Sequence, residues 1–253
     1  MATASEIKIT EAYIGLLGRA PDPLGLDYWV GEYDKKVAAG GNADVILKKI
    51  MNDFTLSDEW DAGLGANVTK TTVDGVTTLS YTKTQGDAVV TGIYDNLFER
   101  SAPSAAEVKY WSDQLQDGTV TASEMAVLVI LGAGDTGTDH DVLGYKTEAA
   151  TYYVETIATS DYNDAQAKTA VDAVQGPVTL AASQLATDAI ATGEGTTKTL
   201  TTGTDEIVMT GGDDVITGTS DTMATADSVA DKSTSDNDSL TLTADGDVTF
   251  GTV

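Results

Sequence analysis

The sequence predicts a mainly α-helical N-terminal region of two related helical modules with an inserted β-hairpin. The start of a repetitive β domain of the roll or solenoid kind follows it. Three observations carry this reading. Apolar residues recur at helical spacing through the first part of the chain, the helices repeat at an offset of about 81 residues, and the composition changes near residue 195. From that change we place a helical domain at residues 1–195 and a β domain at 196–253.

The helical elements follow in order. Ile9, Ala12, Tyr13, Leu16 and Leu17 fall at i, i+3, i+4, i+7 and i+8 of a first helix. Asp22-Pro23 reads as an N-cap with proline at the first helical position, where no N–H is missed. Leu26, Trp29, Val30, Tyr33 and Val37 form the stripe behind it, and Asn42 caps a third helix reaching Phe54. Val68 to Tyr81 breaks the pattern, because Thr and Val around Asp74-Gly75 spell a hairpin with a two-residue turn. We place that hairpin at residues 66–84. Helices resume with Asp87 ahead of Val90, Ile93, Tyr94, Leu97 and Phe98, and then Ser104 ahead of Val108, Trp111 and Leu115. Thr121-Ala-Ser-Glu124 is a capping box before the run Met125 to Leu131, and Asp141 opens a longer helix through Ile157. Further helices are expected within 162–191.

Tyr13, Leu16 and Arg19 match Tyr94, Leu97 and Arg100 at an offset of 81, and Tyr28-Trp29 match Tyr110-Trp111 at 82. These matches define two modules at about residues 5–62 and 87–158. The tail has a shorter period. Gly203 and Gly212, Asp205 and Asp214, and Ile207 and Ile216 are each nine residues apart. That is the spacing of a parallel β-roll, in which Gly and Asp at each bend hold Ca²⁺. Asp205, Asp213, Asp214 and Asp221 are therefore the candidate Ca²⁺ ligands, with Gly203, Gly211 and Gly212 supplying carbonyls and tight bends. A Ca²⁺ ion takes about six to eight oxygens, which aspartates clustered at loop spacing can provide.

Charge and composition exclude several functions. The chain has 253 residues, no cysteine, 40 acids and 14 bases, for a net charge of −26. Thiolate metal sites and cysteine nucleophiles are therefore out. Nucleic-acid binding is disfavoured, because it rests on Lys and Arg neutralising phosphates. No apolar run reaches the roughly 18 residues of a membrane span, so no membrane insertion is expected. Residues 200–253 hold 11 of the acids and a single base, Lys232. No nucleophile elbow, zinc-protease helix or phosphate loop is present, and the lone His140, between Asp139 and Asp141, reads as a surface residue. No enzymatic activity is expected.

The run Leu17-Gly-Arg-Ala-Pro-Asp-Pro-Leu-Gly25-Leu-Asp-Tyr-Trp29, with Phe54-x-x-Ser57-x-Glu59 behind it, resembles a helical domain of large secreted bacterial proteins. Those proteins often also carry calcium-binding nonapeptide repeats. The second copy departs from the pattern at Glu99-Arg-Ser-Ala-Pro103-Ser, which lacks the Gly before Arg and the Asp-Pro pair. Two such modules ahead of Thr/Asp/Gly-rich repeats resemble the N-terminal anchoring region of Gram-negative surface-layer proteins of the type I secreted class.

The resemblance implies an extracellular structural protein, held to the O-antigen of lipopolysaccharide by its helical part and assembling with itself as a two-dimensional lattice. Ca²⁺ would order the C-terminal repeats. Tyr28 and Tyr110 are then candidate sugar platforms, while Trp29 and Trp111 fall on the apolar stripes. Arg19 and Arg100 could clamp an acidic sugar or phosphate. Equally, they could hold helix C-terminal carbonyls or a carboxylate such as Asp22 or Glu99. Two other readings stay open: a type I secreted adhesin using the same modules for cell contact, and a secreted glycan-active enzyme. The abrupt end at Phe250-Gly-Thr-Val253 reads as that of a fragment of something longer.

Overall fold

The computed structural model describes residues 2–66, 68–100, 103–192, 195–209, 212–224, 226–230 and 238–243. It is mainly helical, with ten α-helices and seven short strands among those residues. Contacts divide the chain into two compact units. The first holds Met1–Glu155 and Thr159–Gln184, and the second holds Thr156–Ala158 and Leu185–Val253.

In the first unit, local chemistry sets the helix ends. α1 (Ala4–Leu17) starts at a Thr3/Glu6 capping box and stops at Gly18, whose φ of 67° is left-handed. α2 (Pro23–Ala38) follows the Asp22 cap, whose carboxylate accepts the Gly25 N–H at 2.6 Å. α3 (Ala43–Phe54) and the short α4 (Asp58–Ala62) start at Asn42 and Ser57. β1 (Thr69–Val73) and β2 (Val76–Ser80) pair antiparallel in the expected hairpin, with both turn residues, Asp74 and Gly75, at positive φ.

α5 (Lys83–Phe98) begins earlier than its sequence reading, at a Thr82/Gln85 capping box, so Asp87 lies inside the helix. α6 (Ala105–Asp117) starts after the expected Ser104, which forms a capping box with Glu107, and α7 (Ala122–Gly132) starts at the expected Thr121 box. α8 (Thr138–Thr156) begins three residues before Asp141, and α9 (Asp164–Thr169) and α10 (Pro177–Thr192) complete the helices.

The two modules pack on each other through equivalent elements: α1 lies against α5, and α3 against α7. Ile9, Ile14, Leu16, Met51, Ile93, Leu97 and Met125, from these four helices, are fully buried. α1 and α5 meet closely at Gly15. A Cβ there would lie 3.1 Å from Leu97, and the Gly15 carbonyl accepts the Asn96 side-chain N–H at 3.2 Å. Gly15 and Asn96 stand at the same place in the repeat, 81 residues apart.

The second unit holds two small parallel ladders. β3 (Thr197–Thr199), β5 (Val215–Thr219) and β7 (Ser239–Thr243) form one, and β4 (Glu206–Val208) and β6 (Ser228–Ala230) form the other. Alternate strands therefore go to different ladders. Thr197 pairs with Val215, two nine-residue periods on, and Ile216 is buried under the three-stranded ladder while Ile207 is half-buried.

Candidate functional site

Each module places one tyrosine on its surface. Tyr28 on α2 and Tyr110 on α6 are both 60% exposed. Each ring stands edge-on to the next residue's indole, and Tyr28–Trp29 and Tyr110–Trp111 share a 4.9 Å centroid distance and a 75° interplanar angle. The indoles are fixed from below by different means. Trp29 packs on Phe54 at 5.5 Å, and Phe54 packs in turn on Tyr13. Trp111 instead donates its Nε1–H to the Tyr94 hydroxyl at 3.2 Å. The product is an exposed tyrosine ring set edge-on to an indole in the same geometry in both modules.

The arginines sit elsewhere. Arg19 is 7% exposed, with its guanidinium 5.1 Å from the Tyr13 ring centroid. Its donors go to both Glu59 oxygens, to the Ala20 carbonyl at 3.0 Å and to the Tyr162 hydroxyl. Arg100 repeats the stacking, 5.2 Å from the Tyr94 centroid, and reaches Glu107 at 2.9 Å and Asp139 at 2.7 Å. The Glu107 carboxyl is lowered from its ordinary value by its hydrogen bonds with Ser104 and then by Arg100.

The expected partners Asp22 and Glu99 are replaced because both are engaged elsewhere. Asp22 caps α2 and also accepts the Tyr13 hydroxyl at 3.4 Å, while Glu99 pairs with the buried Lys146. Lys146 stood in the sequence pattern Leu143-Gly-Tyr-Lys146 without a stated role, because its position within the helix gives no sign of burial. Glu59 did stand in the sequence pattern, 40 residues beyond Arg19, without a stated role.

In the second unit the candidate metal ligands have separate tasks. Asp205 accepts the Thr201 N–H at 2.7 Å and the Thr201 hydroxyl at 2.9 Å. Asp214 is 2% exposed and accepts the Thr196 hydroxyl at 2.9 Å as well as its N–H. The ladder continues downward. The Asp205 N–H donates to Asp227 and the Asp214 N–H to Asp238, both at 2.9 Å. Each of these four aspartates immediately precedes a strand, two places before Ile207, Ile216, Val229 or Leu240. That Asp-x-aliphatic signal is visible in the sequence, and it adds Asp227 and Asp238 to the set.

Asp213, Asp221 and Gly203 are exposed, Gly212 is buried, and Gly211 lies outside the described residues. Among the described residues, no three His, Cys, Asp or Glu side chains are disposed to hold one metal ion. The aspartates as placed therefore serve the turn amides and form no ready cage. His140 is exposed at the start of α8, with Nδ1 2.9 Å from the Gly134 carbonyl oxygen.

No family model, curated protein or solved structure matches this chain. Among the described residues, no helix is long and apolar enough to cross a membrane.

Proposed function

We propose that this chain is the anchoring part of a surface-layer protein, exported by type I secretion, whose helical unit grips the O-polysaccharide of lipopolysaccharide on a Gram-negative cell. The observation that carries the reading is the pair of matched platforms, Tyr28 on Trp29 and Tyr110 on Trp111, at equivalent places in two modules. Tyr28 and Tyr110 are each 60% exposed at equivalent places, and a repeating glycan offers the same face to both. With only 14 bases against 40 acids, neutral sugar is the better ligand, since bulk attraction to phosphates is absent. Arg19 is too enclosed to contribute, and Arg100 is the more accessible of the two.

The parallel ladders are the beginning of a β-roll in this proposal. Ca²⁺ would bind along the strand-start aspartates as further repeats stack, sharing carboxylate oxygens that already hold amides. The same repeats would carry the lattice contacts.

The test is retention of the full chain on immobilised smooth and rough lipopolysaccharide. Binding is expected on smooth lipopolysaccharide only. Tyr28→Ala or Tyr110→Ala should each weaken it about tenfold, in line with about 1–2 kcal/mol for a lost aromatic contact, and the double variant should abolish it. Equal binding to rough lipopolysaccharide, or a double variant that binds like the parent, would defeat the proposal.

A further inference from the structure

We infer that the hairpin of the helical unit joins this chain to a second copy of itself, with β2 pairing antiparallel to β2 of the other copy. The contact lies outside the tyrosine platforms and the strand-start aspartates, and it depends on neither glycan nor calcium. β1 and β2 contact each other far more than they contact any helix. A two-stranded hairpin alone is marginal in water, and at least one further strand is needed for independent stability. Pairing two copies would build one continuous sheet from both hairpins.

The register shows which backbone groups are open. Val73 and Val76 flank the two-residue turn as a hydrogen-bonded pair, so Thr71–Thr78 and Thr69–Ser80 are bonded pairs as well. The N–H and C=O groups of Lys70 and Thr72 therefore point off one edge, and those of Thr77 and Leu79 off the other. Among the described residues, no backbone bond from Thr77 or Leu79 reaches another element. The two edges are not alike. Lys70 stands on the β1 edge with its ammonium 2.8 Å from Asp61 of α4, and a lysine at such a place opposes strand addition. The β2 edge, Val76-Thr-Thr-Leu-Ser80, has no charge, no proline and no bulge.

That edge is complementary to itself. A twofold axis at Thr78 sets Thr77 of each copy opposite Leu79 of the other, which uses every outward N–H and C=O of both strands. Thr78 then faces Thr78 and Val76 faces Ser80, so no charged side chains meet. Charge also singles out this segment. Copies of a chain with a net charge of −26 repel one another, but residues 69–80 hold one lysine and one aspartate, which cancel. Val73 and Val76, 63% and 64% exposed, add apolar surface on the face that Thr78 shares.

The experiment is sedimentation velocity of the full chain in EDTA, without lipopolysaccharide, over about 1–100 µM. A monomer–dimer equilibrium is expected, and it should tighten as NaCl rises, because salt screens the repulsion between acidic copies. Thr78→Lys, which sets like charges face to face across the axis, should weaken dimerisation about fivefold, whereas Thr69→Lys on β1 should leave it unchanged. The chain has no cysteine, so Thr78→Cys reports on the register. Its two copies would form a non-hydrogen-bonded pair with Cα atoms about 4.5 Å apart, within disulfide reach. Mild oxidation should therefore link Thr78→Cys into a covalent dimer and leave Thr69→Cys monomeric. A chain that stays monomeric throughout, a dimer that loosens in salt or ignores Thr78→Lys, or equal cross-linking of the two cysteine variants would each overturn the proposal.

Discussion

Glu99 occupies the place that Gly18 holds in the first module, and both residues sit in the left-handed region, at φ 53° and 67°. A glutamate there costs about 1–2 kcal/mol that glycine avoids. What offsets the cost is Lys146, 1% exposed, whose ammonium meets the Glu99 carboxylate and, at 2.9 Å, the Val171 carbonyl. Removing one member of such a pair costs about 3–5 kcal/mol, since it strands the other charge away from water. The second effect wins. Glu99→Gly should therefore destabilise the protein by about 2–3 kcal/mol in urea denaturation, although it restores the glycine of the first copy. In a cycle with Lys146→Met the loss should be largely recovered, because no buried charge is then left alone. A stabilised Glu99→Gly would show that backbone strain, and not the ion pair, governs this turn.

Between elements, the crossing of α1 and α5 turns on Gly15. Its would-be Cβ meets Leu97 Cδ2 at 3.1 Å, the mobile end of a side chain that can yield a little. Alanine also gains about 1 kcal/mol of helix propensity over glycine. Gly15→Ala is therefore expected to stay within about 1 kcal/mol of the parent. Gly15→Ile, which must push the helices apart, should lose about 1–3 kcal/mol by thermal unfolding. Equal melting of the two variants would mean that the crossing is not tight.

Much at this scale was legible in the sequence, for local reasons. Asp22, Asn42, Ser104 and Thr121 cap helices through amides three residues away, so spacing alone reveals them. The start of α5 was not legible, because Thr82-Lys-Thr-Gln85 reads as more of the Thr-rich hairpin until its reciprocal cap is seen. The arginine partners were hidden for another reason. Glu59 and Asp139 lie 40 and 39 residues from Arg19 and Arg100, a pairing set by helix packing and not by any local signal. The tyrosine platforms lie between these cases, since the stripe places Trp29 and Trp111 inward and leaves each neighbouring tyrosine to face water.

At the scale of the whole molecule, charge and colour are divided unevenly between the two units. All three tryptophans and all ten tyrosines belong to the first unit, while the second contains none of either. Residues 200–253 carry 11 acids against one base, and the strand-start aspartates Asp205, Asp214, Asp227 and Asp238 stack by carboxylate-to-amide bonds along the ladders. Stacked carboxylates repel one another, so a bound divalent cation would stabilise this unit by mass action and by relief of that repulsion. Intrinsic fluorescence reports on the helical unit alone, whereas far-ultraviolet circular dichroism reports on both. If calcium binds the strand-start aspartates as proposed, millimolar Ca²⁺ should raise the melting midpoint of the β signal and leave the tryptophan midpoint within about 1 °C. Mg²⁺, which dehydrates reluctantly and demands octahedral geometry, should do less. Asp214→Asn, which keeps an acceptor for the Thr196 amide but removes the charge, should reduce the Ca²⁺ shift without unfolding the ladder. A β signal indifferent to Ca²⁺ would leave the aspartates with their structural task alone, and an equal shift in the tryptophan signal would place the cation in the helical unit instead.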